Sequence, residues 1–426
     1  MDKAIINKNG NTYLLLYDKK IVANISTVNE FAINYFEKYV SQISRITNST
    51  KRIDGIINGH YFGINLGIIP SNRCSLNCKY CYSQSGVVNE NQFIDKNKIK
   101  IIIDMVFDNF CKFKSYFTRP INILFHGGGE PTFKWSDFKE LVKYIKEKQK
   151  LLDVPLKLRL QTNGILSESQ ALWIATHFDE VGVSIDGIPQ INDFMRPFPN
   201  DMPTTAISMS SAKIIAAYTK VGIHAVVTEN SKGFGKNITN YFIENIPNLD
   251  YIHYEKYKFT EVGRNNALTI SNQDFIDFLF DCIEAGNNII RSSVIDTRIK
   301  KYYCNSCDGN MIYCFPNNRI SLCNEHDSGQ YLIGDYSDDI IINQEKYLEN
   351  KKHIKDIFEK LQCEKCFAFP FCRGGCRSYY DQSYNYKEEW CNMLTKALLR
   401  YFEYKLRQPN LLQIVNTEQV IPYIQF

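Results

Sequence analysis

Apolar residues in the middle of the chain recur at two alternating spacings, one typical of strands and one typical of helices. Short apolar runs predict six strands, at residues 62–69, 121–125, 156–161, 181–185, 224–228 and 251–257. Helical spacing lies between them, and the first such segment contains the apolar stripe Ile99, Ile102, Ile103, Val106, Phe107 and Phe110. Strands that alternate with helices predict an α/β domain with a parallel sheet, and six units are too few for a closed barrel. We therefore expect a curved, partly open barrel over residues 62–291, with its active residues at the carboxyl ends of the strands.

The strand predicted at residues 156–161 differs from the others, because polar and apolar residues alternate along it. A strand of a parallel sheet that is covered on both faces is apolar almost throughout. The alternation therefore predicts that this strand lies nearer an edge of the sheet.

Residues 1–61 predict a small α+β segment ahead of the barrel. Two strands, at 12–17 and 21–25, are expected to pair, and Thr27 with Glu30 forms a capping box that begins a helix. Two strands and one helix are too few for an independent core, so we expect this segment to dock on the barrel. At the other end, residues 396–426 predict a short apolar helix and a tail.

Composition excludes several classes of function. A formal net charge of +4 over 426 residues gives no reason to expect nucleic-acid binding, and no apolar run reaches the roughly eighteen residues that a membrane span needs. Fourteen cysteines are many, but the N-terminus has no export signal of the kind that precedes a secreted, disulfide-bonded protein. We therefore expect a cytoplasmic protein whose thiolates bind metal.

Three cysteines follow the first predicted strand, in the order Cys74-Ser-Leu-Asn-Cys78-Lys-Tyr-Cys81. Closely spaced thiolates select zinc or an iron–sulfur cluster. A structural zinc site needs a fourth protein ligand, and the only Cys or His between Cys81 and His126 is Cys111, which lies in a helical pattern. The spacing therefore favours a [4Fe–4S] cluster with three cysteine ligands and one open iron.

This C-x₃-C-x-aromatic-C motif resembles that of the radical S-adenosylmethionine (SAM) enzymes. The resemblance implies that SAM chelates the open iron and that one electron cleaves it to a 5′-deoxyadenosyl radical, which removes a hydrogen atom from an unactivated carbon. It also implies that the fold is a partial (β/α)6 TIM-like barrel.

Further segments at successive strand ends resemble the SAM-binding segments of that family. The second strand runs into Gly127-Gly128-Gly129-Glu130, whose backbone would contact the amino group of SAM, and the third and fourth strands end in Asn163-Gly164 and Asp186-Gly187. Taken singly, these last two pairs also suit plain turns. By the resemblance, the expected SAM-binding residues are Tyr80, Gly128, Gly129, Glu130, Thr162, Asn163, Ser184, Asp186 and Arg196.

The remaining cysteines concentrate in residues 292–395. The spacing there, C-x₂-C-x₅-C-x₃-C from Cys363 to Cys376 with a later Cys391, resembles the SPASM domain, an auxiliary-cluster extension of radical SAM enzymes. One departure is Asn318, which stands where the family usually has a glycine before Cys323; Asn tolerates the same left-handed turn.

The resemblance to the SPASM domain implies two auxiliary [4Fe–4S] clusters. One would be bound by Cys363, Cys366, Cys372 and Cys391. The other would be bound by Cys323 and Cys376 with two of Cys304, Cys307 and Cys314. We prefer Cys304 and Cys307, because Cys314 lies in an expected hairpin strand. Spacing alone leaves zinc as an alternative, since paired C-x₂-C thiolates also bind that metal.

Two cysteines and one histidine outside these groups complete the candidate residues. Cys111 and Cys282 fall in apolar helical patterns and are expected to be buried thiols without a chemical role. His126 ends the second strand beside the glycines.

Together these resemblances imply a maturase that modifies a ribosomally synthesised peptide by hydrogen abstraction, making a thioether, C–C or C–O crosslink or a related oxidation. The alternatives are an anaerobic sulfatase-type maturase that makes formylglycine and, from another class, a non-catalytic iron–sulfur or zinc protein. The expected partners are a peptide substrate with a leader, for which residues 1–61 are a candidate binding segment, and a reductant such as flavodoxin or ferredoxin. The sequence names no catalytic acid or base beyond the candidates Glu255, Lys256 and Tyr257 at the sixth strand end.

Overall fold

The computed structural model describes residues 3–8, 11–16, 21–24, 55–83, 92–258, 266–298, 302–304, 307, 309–363, 366, 368–383 and 385–406. The strands are β1 (Lys3–Lys8), β2 (Asn11–Leu16), β3 (Ile21–Asn24), β4 (Ile56–Ile57), β5 (His60–Tyr61), β6 (Asn65–Ile68), β7 (Ile121–Phe125), β8 (Leu156–Thr162), β9 (Glu180–Ser184), β10 (Lys220–Val227), β11 (Leu249–Lys256), β12 (Ile290–Arg291), β13 (Met311–Cys314), β14 (Arg319–Ser321), β15 (Leu332–Asp335) and β16 (Ile341–Ile342). The helices are α1 (Lys96–Lys112), α2 (Trp135–Leu152), α3 (Glu168–His177), α4 (Pro189–Met195), α5 (Thr205–Ala216), α6 (Gly235–Asn245), α7 (Asn272–Gly286), α8 (Gln344–Lys360), α9 (Phe369–Cys372), α10 (Arg377–Gln382) and α11 (Asn392–Leu406). Within these ranges, none of the helices combines the length and apolar character that crossing a bilayer requires.

The centre of the molecule is the predicted partial barrel. Strands β6 to β11 pair in chain order, each parallel to the next, and the short β12 extends this run. The helices between them cover the outside of the sheet. The α/β class and the partial parallel barrel are therefore confirmed, with strand bounds within a few residues of those expected.

The outer layer forms because the helices carry apolar stripes at the predicted spacing. Every residue of the α1 stripe, from Ile99 to Phe110, is buried, and Asp95 caps the helix by accepting hydrogen bonds from two backbone amides of its first turn. Each large apolar side chain buried in this way contributes about 1.5–3 kcal/mol. Ser167 and Ser271 cap α3 and α7 in the same way, since each side chain accepts a hydrogen bond from a backbone amide of the first turn.

The prediction that the alternating strand lies nearer an edge is wrong. Strand β8 pairs with β7 on one side and β9 on the other, in the middle of the barrel. Its Leu158 and Leu160 are buried, whereas Arg159 and Gln161 line a cavity inside the barrel. The alternation therefore reflects a polar barrel interior and not an exposed sheet edge.

The cysteine-rich region continues the barrel sheet. Strand β13 pairs in parallel with β6, and β14, β15 and β16 follow in antiparallel order, so that one sheet has 11 strands. The expected hairpin is present between β13 and β14, and Asn318 in its turn has φ 62°, in the left-handed region. This pairing fixes the C-terminal region against the first strand of the barrel.

At the N-terminus, the predicted pair of strands is observed as β2 and β3, and β1 adds a third strand that the sequence did not predict. Strand β3 lies beside α11. The helix predicted from Thr27 and the tail after residue 406 lie outside the described residues. The predicted domain boundaries stay predictions.

Candidate active site

A cavity of about 560 Å³ lies inside the barrel and at the carboxyl ends of its strands. Most residues expected to bind the cluster and SAM line it. These are Cys74, Cys78, Tyr80, Cys81, Gly128, Gly129, Glu130, Thr162, Asn163, Ser184 and Arg196. The structure therefore brings together, from separate strand ends and loops, residues that are distant from one another in the sequence.

The cysteine loop is held in place mainly by its backbone. Amides of this loop, from Asn77 and Lys79, donate to the carbonyl oxygens of Pro197 and Met195 at 2.8 and 3.0 Å. The side chain of Leu76 is buried beneath the loop. The loop is thus fastened to the end of α4, directly beside Arg196.

The thiols of this loop have the chemistry of metal ligands. Burial, and then the nearby Glu130 carboxylate, raise the pKa of Cys74 to about 11, and burial raises the pKa of Cys78 further. Such thiols become thiolates only where a cation compensates their charge, which metal coordination does. Asn163 Nδ2 lies 3.5 Å from Cys74 Sγ, so the third strand end also supports this ligand. The residues present therefore fit an iron–sulfur cluster.

The glycine segment passes too close to the cysteine loop for any side chain at one position. A Cβ atom on Gly129 would lie 2.2 Å from the carbonyl oxygen of Arg73, whereas one on Gly128 would come no closer than 3.2 Å, to a methyl of Ile69. The backbone amides of Gly129 and Glu130 donate to Ser71 and Arg73 at 2.9 and 2.7 Å. Gly129 is thus required for the contact between the two loops.

Glu130 joins the second and third strand ends. Its carboxylate accepts hydrogen bonds from the amide and hydroxyl of Thr132, the hydroxyl of Thr162 and the amide of Asn163, at 2.7–3.2 Å. Burial nevertheless raises its pKa. With four donors from the protein, Glu130 and Thr162 are placed to hold the loops together, and their contact with SAM stays a prediction.

Asp186 lies behind the cavity wall and organises two residues that do line it. Its Oδ2 accepts a hydrogen bond from Tyr80 at 2.6 Å and lies 3.0 Å from Arg196 Nε, and its Oδ1 accepts from the amide of Val226 at 2.9 Å. The Arg196 guanidinium lies 5.2 Å from the centre of the Tyr80 ring. Asp186 is 2 % exposed, so this geometry favours a positioning role for it, and its expected direct contact with SAM stays a prediction.

The deeper half of the cavity holds a polar network that the sequence reasoning missed. Glu180 is bound by Lys157 at 2.7 Å, Arg159 at 3.4 Å and the Tyr251 hydroxyl at 3.2 Å. Burial would raise the pKa of Glu180, but the charges of Arg159 and Lys157 outweigh it and lower the pKa. The alternation of polar residues along β8 is the sequence signal for this network, although the same alternation also suits an edge strand.

A second acid–base pair lies at the end of β11. His253 Nε2 is 2.8 Å from Glu255 Oε1, and Ser293 donates to both carboxylate oxygens of Glu255 from its amide and its hydroxyl, each at 2.8 Å. Both side chains of the pair line the cavity. Burial would raise the pKa of Glu255, but its hydrogen bond with His253 contributes most to lowering it. Of the three candidates at this strand end, Glu255 therefore has the partners of a proton acceptor.

His126 lies between the two halves of the cavity. Its Nδ1 is 3.0 Å from the carbonyl oxygen of Gly127, and its Nε2 is 3.4 Å from Nδ2 of Asn324 in the cysteine-rich region. Burial lowers its pKa, which favours the neutral ring.

The thiols of the C-terminal region form two groups. In the first, Cys304 Sγ lies 3.6 Å from Cys307 Sγ. Burial, and then the charges of Glu325, Cys376 and Cys304, raise the pKa of Cys323, so these thiols lie near one another. Cys314 is fully buried in β13, and burial is the sole cause of its raised pKa. The structure thus assembles the four preferred thiols and places Cys314 apart from them.

The second group contains the thiols of Cys363, Cys366, Cys372 and Cys391. Burial is the main cause of the raised pKa values in this group, and the charges of neighbouring thiols add to it. The pKa values of Cys363 and Cys372 rise to about 12, and that of Cys391 rises to about 11. Within the described ranges, no three His, Cys, Asp or Glu side chains converge as they would on one metal ion. Which metal or cluster these four thiols bind stays a prediction.

Two predictions about isolated cysteines have different outcomes. Cys282 is fully buried in α7, as expected. Cys111 is exposed, so the expectation of a buried thiol there is wrong. The apolar stripe of α1 ends at Phe110, and the last turn of the helix turns Cys111 to solvent.

Comparison with known proteins agrees with this geometry. The model of the radical SAM superfamily matches residues 68–232. A cysteine-type anaerobic sulfatase-maturating enzyme of Clostridium perfringens is 25% identical over 366 residues, which cover 81% of this chain and 96% of that protein. The radical SAM cyclopropyl synthase TigE of Paramaledivibacter caminithermalis is 21% identical, with 90% of this chain and 84% of that protein covered.

Solved structures show the same fold. Native anSMEcpe with bound AdoMet superposes with a TM-score of 0.62 at 20% identity, covering 80% of this chain and 97% of that one. Streptococcus suis SuiB bound to its precursor peptide SuiA superposes with a TM-score of 0.54 at 16% identity, covering 90% of this chain and 96% of that one. The part of the chain that matches the radical SAM superfamily therefore spans residues 68–232, which include the cysteine loop and most of the strand ends that line the cavity.

Proposed function

We propose that this protein is a radical SAM enzyme that modifies a ribosomally synthesised peptide by hydrogen abstraction, making a thioether, C–C or C–O crosslink or a related oxidation. One observation carries the proposal: the thiols of Cys74, Cys78 and Cys81 and the side chain of Glu325 line the same cavity. Because Glu325 lies two residues after Cys323, this cavity reaches from the cysteine loop at residues 74–81 to the cysteine-rich region.

Similar proteins support a peptide substrate. The solved complexes include SuiB bound to the precursor peptide SuiA and anSMEcpe bound to AdoMet and the Kp18Cys peptide. A cavity of about 560 Å³ that is lined by both the barrel and the cysteine-rich region suits one side chain of a longer peptide.

When bound, SAM and the cluster at Cys74, Cys78 and Cys81 would supply a 5′-deoxyadenosyl radical that takes a hydrogen atom from the substrate, and the auxiliary clusters would supply an acceptor for the electron that the substrate then loses. Arg196, held by Asp186, presents a guanidinium group for the carboxylate of SAM. The ring of Tyr80 is fixed through the same carboxylate, which supports the proposed contact with the adenine.

The substrate must also lose a proton when the oxidation is completed. The pair of His253 and Glu255 lines the cavity and can accept that proton, because Ser293 fixes the Glu255 carboxylate beside the imidazole. The hydrogen atom would thus go to the radical, the electron to an auxiliary cluster and the proton to the pair of His253 and Glu255. The new bond or double bond would form on the substrate.

The second candidate is an anaerobic sulfatase-type maturase that makes formylglycine. The observation that favours it is the 25% identity to the Clostridium perfringens enzyme over 81% of this chain. The same loss of a hydrogen atom, an electron and a proton serves both reactions, so the two candidates differ in substrate and not in machinery. A leader-binding role for residues 1–61, a flavodoxin or ferredoxin as reductant and a cytoplasmic location remain predictions.

The first experiment is SAM cleavage by anaerobically reconstituted protein with dithionite. We expect 5′-deoxyadenosine from the unmodified chain and none from a Cys78→Ala variant. A lack of 5′-deoxyadenosine from protein with confirmed iron content would overturn both candidates. Removal of residues 1–61 separates them, because it should abolish turnover of a leader-bearing peptide and spare a sulfatase-derived peptide.

A further inference from the structure

Lys258 reaches from the barrel to the first group of C-terminal thiols. It follows β11 by two residues, and its Nζ lies 4.0 Å from Cys376 Sγ and 3.9 Å from Glu325 Oε1. The side chain is 28 % exposed and lines the active-site cavity. The ammonium group of Lys258, which the barrel contributes, therefore lies next to the Cys376 thiol of the cysteine-rich region.

The same thiol group has a second cation on another side. Arg377 follows Cys376 directly, is buried, and donates from Nη1 to Asn350 Oδ1. Its guanidinium also lies 4.7 Å from the centre of the Tyr331 ring. Arg377 is thus held by the cysteine-rich region itself, whereas Lys258 is the cation that the barrel contributes.

The carboxylate of Glu325 opposes these two cations. Glu325 lies beside Lys258, and its other oxygen, Oε2, accepts a hydrogen bond from Ser378 at 3.0 Å. Because Ser378 and Cys376 belong to the same short segment, the carboxylate is fixed near the thiols. The charges of Lys258 and Glu325 therefore have opposite effects on the same bound cluster.

Electrostatics gives the consequence for a bound cluster. A cluster with four thiolate ligands is negatively charged and gains one further negative charge on reduction, and its potential depends on nearby charge and on groups that approach the sulfurs. A fixed cation favours the reduced form, and a fixed anion favours the oxidised form.

We propose that Lys258 raises the reduction potential of the auxiliary cluster bound by Cys304, Cys307, Cys323 and Cys376, and that Glu325 lowers it. Lys258 then makes this cluster a better electron acceptor than it would be without that charge. The inference rests on the proposed function only in that these four thiols bind a cluster.

The test is a potentiometric titration followed by electron paramagnetic resonance. In a background with Cys74, Cys78 and Cys81 replaced by Ala, only the auxiliary clusters remain, and the one at Cys363, Cys366, Cys372 and Cys391 is an internal reference. We expect Lys258→Met to move one of the two waves to lower potential by at least 59 mV, which is a tenfold change in the one-electron equilibrium. Lys258→Arg should move it less, and Glu325→Gln should move the same wave in the opposite direction.

Lys256 provides a matched control. It lies two residues away and lines the same cavity, but its Nζ binds Asn272 Oδ1 at 2.8 Å. Lys256→Met should leave both waves in place. Because Lys258→Met could weaken folding, Lys258→Gln is measured beside it, and iron and sulfide content are determined for every variant.

Three results would overturn the inference. The first is full cluster content with no shift in Lys258→Met and Lys258→Gln. The second is a shift of the same sign in the Lys258 and Glu325 variants, because greater solvent access and not charge would explain it. The third is an equal shift in Lys256→Met. If the parent itself binds no iron at Cys304, Cys307, Cys323 and Cys376, the cofactor proposal fails first, and the iron analysis distinguishes that outcome.

Discussion

The hydroxyl of Tyr80 donates a 2.6 Å hydrogen bond to Asp186, although 106 positions separate the two residues. This bond joins the cysteine loop to the end of the fourth barrel strand. Asp186 also carries the ion pair with Arg196, so a single buried carboxylate holds two cavity-lining side chains. The arrangement leads to a prediction in which two variants differ sharply.

Asp186→Asn should be much more damaging than Tyr80→Phe. The first leaves the buried Arg196 charge without its partner, and breaking a buried ion pair costs roughly 3–5 kcal/mol of unfolding free energy. The second removes one hydrogen bond, worth about 0.5–1.5 kcal/mol. Anaerobic urea denaturation would measure both, and equilibrium dialysis would report the loss of SAM binding. Equal costs would show that Asp186 does not organise Arg196.

Glu255→Gln should separate the first step of the reaction from its completion. The variant keeps the shape of the side chain and loses the proton acceptor, so 5′-deoxyadenosine should still form while modified peptide falls at least tenfold, about 1.4 kcal/mol. The ratio of the two products, measured by mass spectrometry, is the readout. Ser293→Ala, which removes one donor to Glu255 and keeps the carboxylate, should have a smaller effect. Parallel loss of both products would contradict the assigned role.

Cys314→Ala and Cys307→Ala should differ in iron content. Cys307 belongs to a group of four thiols, and its loss should remove one cluster, which is about four irons per chain. Cys314 is buried in β13 apart from that group, so its replacement should leave the iron content unchanged. Iron and acid-labile sulfide, measured per chain after reconstitution, decide the matter. A loss of iron in Cys314→Ala would require a different ligand set.

Stability should fall as the pH decreases from about 7.5 to 5.5, and His224 should account for part of the slope. Burial, and then the charge of His253, lower the pKa of His224 well below the usual 6.5. The unfolded chain therefore binds a proton at His224 that the folded chain does not bind. The free energy of unfolding thus rises with pH in that range. The free energy of unfolding, measured by urea denaturation at several pH values, should have a flatter slope in His224→Gln. An unchanged slope would contradict this account.

Local patterns were sufficient for the elements and for the thiol groups, and insufficient for the contacts between distant parts. The stripe from Ile99 to Phe110 and the capping by Ser167 depend on residues a few positions apart, which the sequence displays directly. The C-x₃-C-x₂-C spacing likewise predicted which thiols share a loop. The remaining contacts depend on long-range geometry. Asp186, for example, accepts hydrogen bonds from Val226 on a neighbouring strand and from Tyr80 on a distant loop.

The barrel interior gives the clearest example of this limit. Arg159 and Gln161 alternate with buried leucines in a way that suits either an exposed edge or a wall of an internal cavity. Only the pairing of β8 with both neighbours distinguishes the two. Period-two alternation indicates that one face of a strand meets something polar, and it does not indicate whether that is bulk solvent or an enclosed site.

The parallel pairing of β6 with β13 also has a consequence for biosynthesis. The opening strand of the barrel leaves the ribosome long before the segment that will cover its free side, since Asn65 pairs with Met311. Until then, its hydrogen-bonding groups are exposed and can recruit other chains. The barrel sheet can therefore reach its final pairing only after the final third of the polypeptide has begun to be translated.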